Sequence, residues 1–150
     1  MPTSGSNIWR QNVERGRRLK FIRPPDWTRP RGYSNGVLSL GRTVYLAGIV
    51  GWNKNQKFET SDFAGQFRQL MINIVTLLKE ADAKPEHIVN MTWYVADKHE
   101  YSSSLNQIDD AYHEIIGAHY PAMTIIEVNG FVARGTRLEI ETTAVIPDFK

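Results

Sequence analysis

His119-Tyr120-Pro121-Ala122-Met123-Thr124 leads into one apolar run, and Arg137-Leu138-Glu139-Ile140-Glu141 opens another after a turn at Asn129-Gly130 and Ala133-Arg134-Gly135. Both runs read as β-strands. Residues two apart in a strand share a face, so Glu139 and Glu141 point one way while Leu138, Ile140 and Thr142 point the other. A sheet that is apolar on one side needs a second layer there. The paired carboxylates on the other side are then either a solvated face or one wall of a site.

The layer that would cover the apolar side is found upstream. Phe63, Phe67, Leu70, Met71, Ile74, Leu77 and Leu78 recur at three- and four-residue intervals. This spacing predicts an amphipathic helix, with Asp62 as its N-cap and Asp82 and Pro85 at its end. Residues 88–95 are rich in β-formers and predict a strand containing Trp93. Residues 101–117 predict a second helix, with Leu105, Ile108, Ala111, Tyr112, Ile115 and Ile116 inward. Before the first helix, residues 37–40 and 43–48 flank Gly41-Arg42 and predict a hairpin. The polar stretch 51–59 follows as a loop. The resulting order is ββαβαββ, an α+β fold with two helices on one face of a five-stranded sheet. If its other face is apolar it needs cover, and the simplest cover is a second copy of the chain.

With 150 residues, 41% hydrophobic and 23% charged, the chain suits one globular domain. Eight of the 18 basic residues (Arg10, Arg15, Arg17, Arg18, Lys20, Arg23, Arg29 and Arg31) fall in the first 31 positions. Residues 1–30 therefore read as a basic N-terminal extension. Pro24-Pro25 and Pro30 stop any helix begun over residues 12–20. The domain proper is 31–150. The net charge of +2 is too small to argue by itself for nucleic acid as the partner. No apolar run reaches the ~20 residues of a membrane span, so no membrane role is expected. The absence of cysteine excludes thiolate chemistry and Cys-based zinc sites and fits a reducing, cytoplasmic setting.

Several segments, taken in order and at their spacing, resemble the Rid family (YjgF/RidA-like). They are Tyr33-Ser34-Asn35-Gly36, Val44-Tyr45-Leu46-Ala47-Gly48, the helix with Gln66 and Asn73, Tyr94-Val95-Ala96-Asp97, Tyr120-Pro121-Ala122 and Leu138-Glu139-Ile140-Glu141. The similarity runs from about Arg31 to Pro147. It implies a chorismate-mutase-like α+β fold and a homotrimer with clefts between subunits. It further implies a small-molecule substrate, with neither metal nor organic cofactor. The family's best-known activity is hydrolysis of reactive imines and enamines to a carbonyl compound and ammonia. Some relatives deaminate aminomuconate-type intermediates, and others have been described as ribonucleases or binding proteins.

Carried over residue by residue, the resemblance places the family's carboxylate for the reactive water on Glu139. The early tyrosine falls on Tyr33 and a helical asparagine on Asp109. A cleft-lining Ser-Gly pair falls on Ala47-Gly48, without its hydroxyl. The arginine that grips the substrate carboxylate falls on Met123, which removes a bidentate clamp and substitutes an apolar thioether. Trp52, in the loop after the second strand, suggests with Met123 a pocket for a flat substrate. His119 precedes the strand of Met123 and is a further cleft candidate. Arg31, Arg134 and Arg137 are the candidates for a replacement cation, and the sequence does not choose among them. The expected function is an ammonia-releasing deaminase, either a hydrolase acting on C=N or an ammonia lyase. Its substrate would be flat or aromatic-derived, such as an aminomuconate-type compound or a hydroxylamino-aromatic acid. The alternatives are a non-catalytic trimeric binding protein and an RNA-directed activity of the basic extension.

Overall fold

The computed structural model of the protein describes residues 19–147, so the first 18 positions of the basic extension and most of the helix considered over residues 12–20 lie outside it. The described part opens with β1 (Leu19–Ile22), β2 (Gly36–Ser39) and β3 (Arg42–Val50). Then follow α1 (Phe63–Glu80), a 3-10 turn (Pro85–His87), β4 (Ile88–Val95), α2 (Lys98–Ser103), α3 (Leu105–Ile115), β5 (Ala122–Glu127) and β6 (Leu138–Ile146). The fold is α+β with a mixed sheet. No described helix is long and apolar enough to cross a membrane.

The expected α1 and β4 form as read. Asp62 caps α1 by accepting from the Gly65 N–H at 2.8 Å, and a hydrogen bond from Thr60 is the main cause holding its carboxyl below the usual carboxylate range. Phe67, Leu70, Met71, Ile74 and Leu78 are all fully buried. They pack with Met91, Trp93, Leu138 and Ile140 into one core. The Phe67 and Trp93 rings lie 5.1 Å apart.

Three expectations are corrected. The second helix is split at Ser104 into α2 and α3. Asp97 starts the short piece early by accepting from the His99 N–H at 2.7 Å. Ser102 and Ser103 return their hydroxyls to the carbonyls of Lys98 and Glu100, a competition with helical bonding that serine favours. The five-stranded sheet is instead four strands in the order β3-β6-β4-β5 plus a separate pair, β1-β2. The hairpin of β2 with β3 is not paired. β2 is bonded antiparallel to β1, from Leu19 opposite Ser39 to Ile22 opposite Gly36. Gly41, at φ +151, lies so close to the Ile146–Pro147 backbone that a Cβ would sit 2.0 Å from the Ile146 carbonyl oxygen. The chain is thereby turned onto the end of β6 as it enters β3. The two closing strands lie on either side of β4. β5 runs parallel to β4, and β6 lies antiparallel on the other side of β4.

Alternation along these strands sets the two faces. Met91, Trp93, Leu138, Ile140 and partly buried Met123 face the helices. Tyr45, Tyr94, Glu139 and Glu141 occupy the opposite face, where Tyr45 is 79% exposed. This arrangement puts the candidate site residues on both sides of one sheet.

Candidate functional site

The first group is assembled at the start of β5. Ser34 donates its N–H to the Pro121 carbonyl at 3.0 Å and its hydroxyl to the Tyr120 carbonyl at 2.5 Å. It also forms an isolated parallel bridge to Ala122. These bonds hold the preceding residues, Arg31 to Tyr33, beside Tyr120 and Met123. The result is a cleft of about 450 Å³ whose walls include Arg31, Tyr33, Asp109 and Met123. Its remaining surface is largely aromatic, from Trp93, Tyr101, Tyr112 and Tyr120. Tyr112 and Tyr120 stack nearly parallel, with centroids 5.6 Å apart and planes at 11°. Burial pushes the Tyr112 hydroxyl well above the ordinary phenol value; it donates to the His119 carbonyl at 2.5 Å. The buried Trp93 indole N–H has no hydrogen-bond partner among the described residues.

The second group lies on the open face, around a cavity of about 330 Å³ bordered by Gly48, Tyr94, Glu139, Glu141 and the 128–132 loop. A register shift between Leu46 and Ile49 puts one extra residue into β3 at Ala47-Gly48, a β-bulge of the kind that re-aims side chains beside sites. Gly48 passes directly over the neighbouring glutamate. A Cβ on it would lie 2.2 Å from Glu139 Oε1 and 3.1 Å from its Cγ. Ala47 is exposed in the same bulge.

The two glutamates are not equivalent. Tyr94 donates its hydroxyl to Glu141 Oε1 at 2.5 Å. That bond is the main cause raising the Tyr94 hydroxyl above its ordinary value, with the charges of Glu141 and Glu139 adding to it. Glu139 sits directly opposite Tyr94 in the ladder, half-buried, and its carboxylate accepts no hydrogen bond and forms no ion pair among the described residues. It is the carboxylate left with both oxygens available to water or a ligand.

The remaining candidates are elsewhere. His119 Nε2 lies 2.7 Å from the Ile88 carbonyl, an oxygen that can only accept, so this nitrogen carries the proton. Its ring packs on Phe21. Trp52 packs on Phe58 at 5.9 Å, and its carbonyl accepts from Asn73 Nδ2 at 2.8 Å. Neither lines the two cavities. Arg137 forms a forked pair with Glu100, its Nε 2.8 Å from Oε1, and this bond holds its guanidinium above the ordinary value. Arg134 is exposed in the turn before β6 and lines neither cavity. Of the three candidate replacement cations, Arg31 is the one in the cleft wall. Sequence reading missed Tyr101, taken only as the start of the second helix, and Tyr112, whose helical spacing marked it as ordinary core, as cleft residues.

The chain has recognisable relatives. The family model described as Endoribonuclease L-PSP matches residues 28–146. Over 114 residues the chain is 29% identical to the 2-iminobutanoate/2-iminopropanoate deaminase of Bos taurus, covering 75% of this chain and 79% of that protein. It is 28% identical over 113 residues to the protein of the same name from Escherichia coli K12, covering 75% and 86%. Among solved structures, YyfB of the conserved Rid protein family from Yersinia pestis matches with a TM-score of 0.76 at 29% identity, over 85% of this chain and 98% of that one.

Proposed function

Since the chain belongs to the Rid (YjgF/RidA) family, matched over residues 28–146, we propose that it is an ammonia-releasing deaminase of an imine or enamine, with a flat or aromatic-derived substrate. The observation that carries this reading is the Glu139 carboxylate beneath Gly48, which accepts no hydrogen bond among the described residues, with Glu141 already engaged by Tyr94. A carboxylate so placed orients a water and accepts its proton as the oxygen bonds to the C=N carbon. The π-electron pair moves to nitrogen, to which the carboxyl returns its proton. In the carbinolamine the same carboxylate moves the hydroxyl proton to the amine, so that the C–N bond breaks and ammonia and the carbonyl compound are released. The aromatic walls of the other cleft favour a flat substrate, and Met123 offers it apolar contact where a cation would otherwise stand.

One chain cannot present both groups to one molecule, because its own sheet lies between them. The reading therefore includes a further copy of the chain, so that the Glu139 face of one meets the Met123 cleft of the next, and the family resemblance makes that assembly a homotrimer. Light scattering at micromolar concentration should give three times the chain mass; a monomer mass contradicts it.

The deaminase reading is tested by ammonia release from imines generated in situ. An imine of a conjugated or aromatic carbonyl compound should turn over faster than 2-iminopropanoate. No ammonia above buffer from either would leave the binding-protein alternative in its place. A second variant probes the Glu139 geometry. Gly48→Ala must displace the Glu139 side chain, whose atoms occupy the space of the new methyl. It should reduce kcat by at least about tenfold, since misplacement of a catalytic group by ~1 Å is costly. The melting temperature should change little, because the displaced atoms end a flexible side chain. Unchanged turnover would show that the glutamate's position is immaterial.

A further inference from the structure

A second cavity adjoins the aromatic cleft. It measures about 550 Å³ and lies between the segment Phe21–Pro30 and the Tyr33–Asn35 turn, with Arg23 and Arg29 in its wall. The two cavities share Gly32, Tyr33 and Tyr120. They are neighbouring compartments with Tyr33 and Tyr120 on their common border. The strap that walls the second compartment enters through β1, which is bonded only to β2, and residues 19–27 precede the part of the chain matched by the family model. The strap joins the site at Gly32, whose φ of +77 is a conformation few other residues adopt without strain.

The charges of this strap are arranged unequally. Arg23 turns its guanidinium back onto its own segment, donating to the carbonyls of Pro24 and Trp27. Arg29 and Arg31 have no acidic partner among the described residues, in contrast to Arg68, paired with Glu114, and Arg137, paired with Glu100. Arg31 lies in the wall of the aromatic cleft and Arg29 in that of the second compartment. Two unengaged guanidiniums flanking a row of tyrosines suit a flat molecule with an anionic group at each end.

We propose that the strap is an anion-recognition wall, in which Arg31 binds the carboxylate of a flat substrate within the aromatic cleft and Arg29 binds a second carboxylate reaching into the neighbouring compartment. The preferred substrate is a flat dicarboxylate. The inference rests on the aromatic cleft being the substrate site of the proposed deaminase.

Calorimetric binding of benzamide, benzoate and benzene-1,4-dicarboxylate to the full-length protein tests it without turnover. The wild type should bind the dicarboxylate more tightly than benzoate, and benzoate more tightly than benzamide. Arg31→Gln should remove the advantage of benzoate over benzamide, about tenfold for loss of one charge-assisted pair. Arg29→Gln should reduce only the advantage of the dicarboxylate over benzoate. A wild type that binds all three equally, or none, overturns the proposal, as does an Arg31→Gln protein that keeps the preference for benzoate. The deaminase reading fails separately. A protein that shows the carboxylate preference but releases no ammonia from any imine keeps the wall and loses the reaction.

Discussion

Glu139→Ala is expected to lower ammonia release by about 10²–10³-fold, the range associated with removing a positioned general base. The loss should fall on kcat more than on KM, because the carboxylate acts on the attacking water rather than on the aromatic part of the substrate. Glu141→Gln supplies the contrast. Its carboxylate accepts the Tyr94 hydroxyl at 2.5 Å, and an amide oxygen can still accept that bond, so activity should stay within a few-fold of wild type. Steady-state kinetics on the two variants check the assignment. Equal losses would mean that the two carboxylates act together, and unchanged turnover in Glu139→Ala would remove it from the reaction.

The largest expected effect on stability is at Gln66. This side chain is fully buried in α1 and saturates its amide. Nε2 donates to the carbonyls of Thr60 at 3.2 Å and Gly135 at 2.9 Å, and Oε1 accepts from the Arg137 N–H at 2.8 Å. It ties the start of α1 to the entry of β6, two residues before Glu139. Gln66→Leu leaves three partly buried backbone groups, the Thr60 and Gly135 carbonyls and the Arg137 N–H, without these partners. At about 1–3 kcal/mol for each unsatisfied group, summed less than additively, the loss is about 3–5 kcal/mol. For a chain of this size that lowers Tm by about 10 °C or more. Gln66→Glu retains the acceptor for Arg137 but loses both donated bonds, so it too should be destabilised. Thermal unfolding followed by circular dichroism checks both, and a Gln66→Leu protein melting with the wild type contradicts the account.

Legibility in the sequence followed the range of the interactions involved. The α1 stripe, its Asp62 cap and β4 were readable because periodicity and capping act within a few residues. The faces of Glu139 and Ile140 were readable for the same reason. The single long second helix was misread, since the serines at 102–104 interrupt a pattern that otherwise continues through Ile108 and Tyr112. Arg31, Arg134 and Arg137 looked alike as arginines in a chain. Only folding paired Arg137 with Glu100 and brought Arg31 into the cleft wall.

By itself the sequence determined the α+β class and the apolar layer, because residue type and local spacing decide which face is buried. The tertiary structure alone decided that β1 takes β2 away from β3 and that β4 separates the two closing strands. It alone placed Glu139 and Met123 on opposite faces of one sheet. Periodicity specifies which way a side chain points, whereas strand neighbours are selected by contacts between distant segments. The pair of glutamates at spacing two is equivalent along the chain; Tyr94, reaching across from β4 to Glu141, makes the two different.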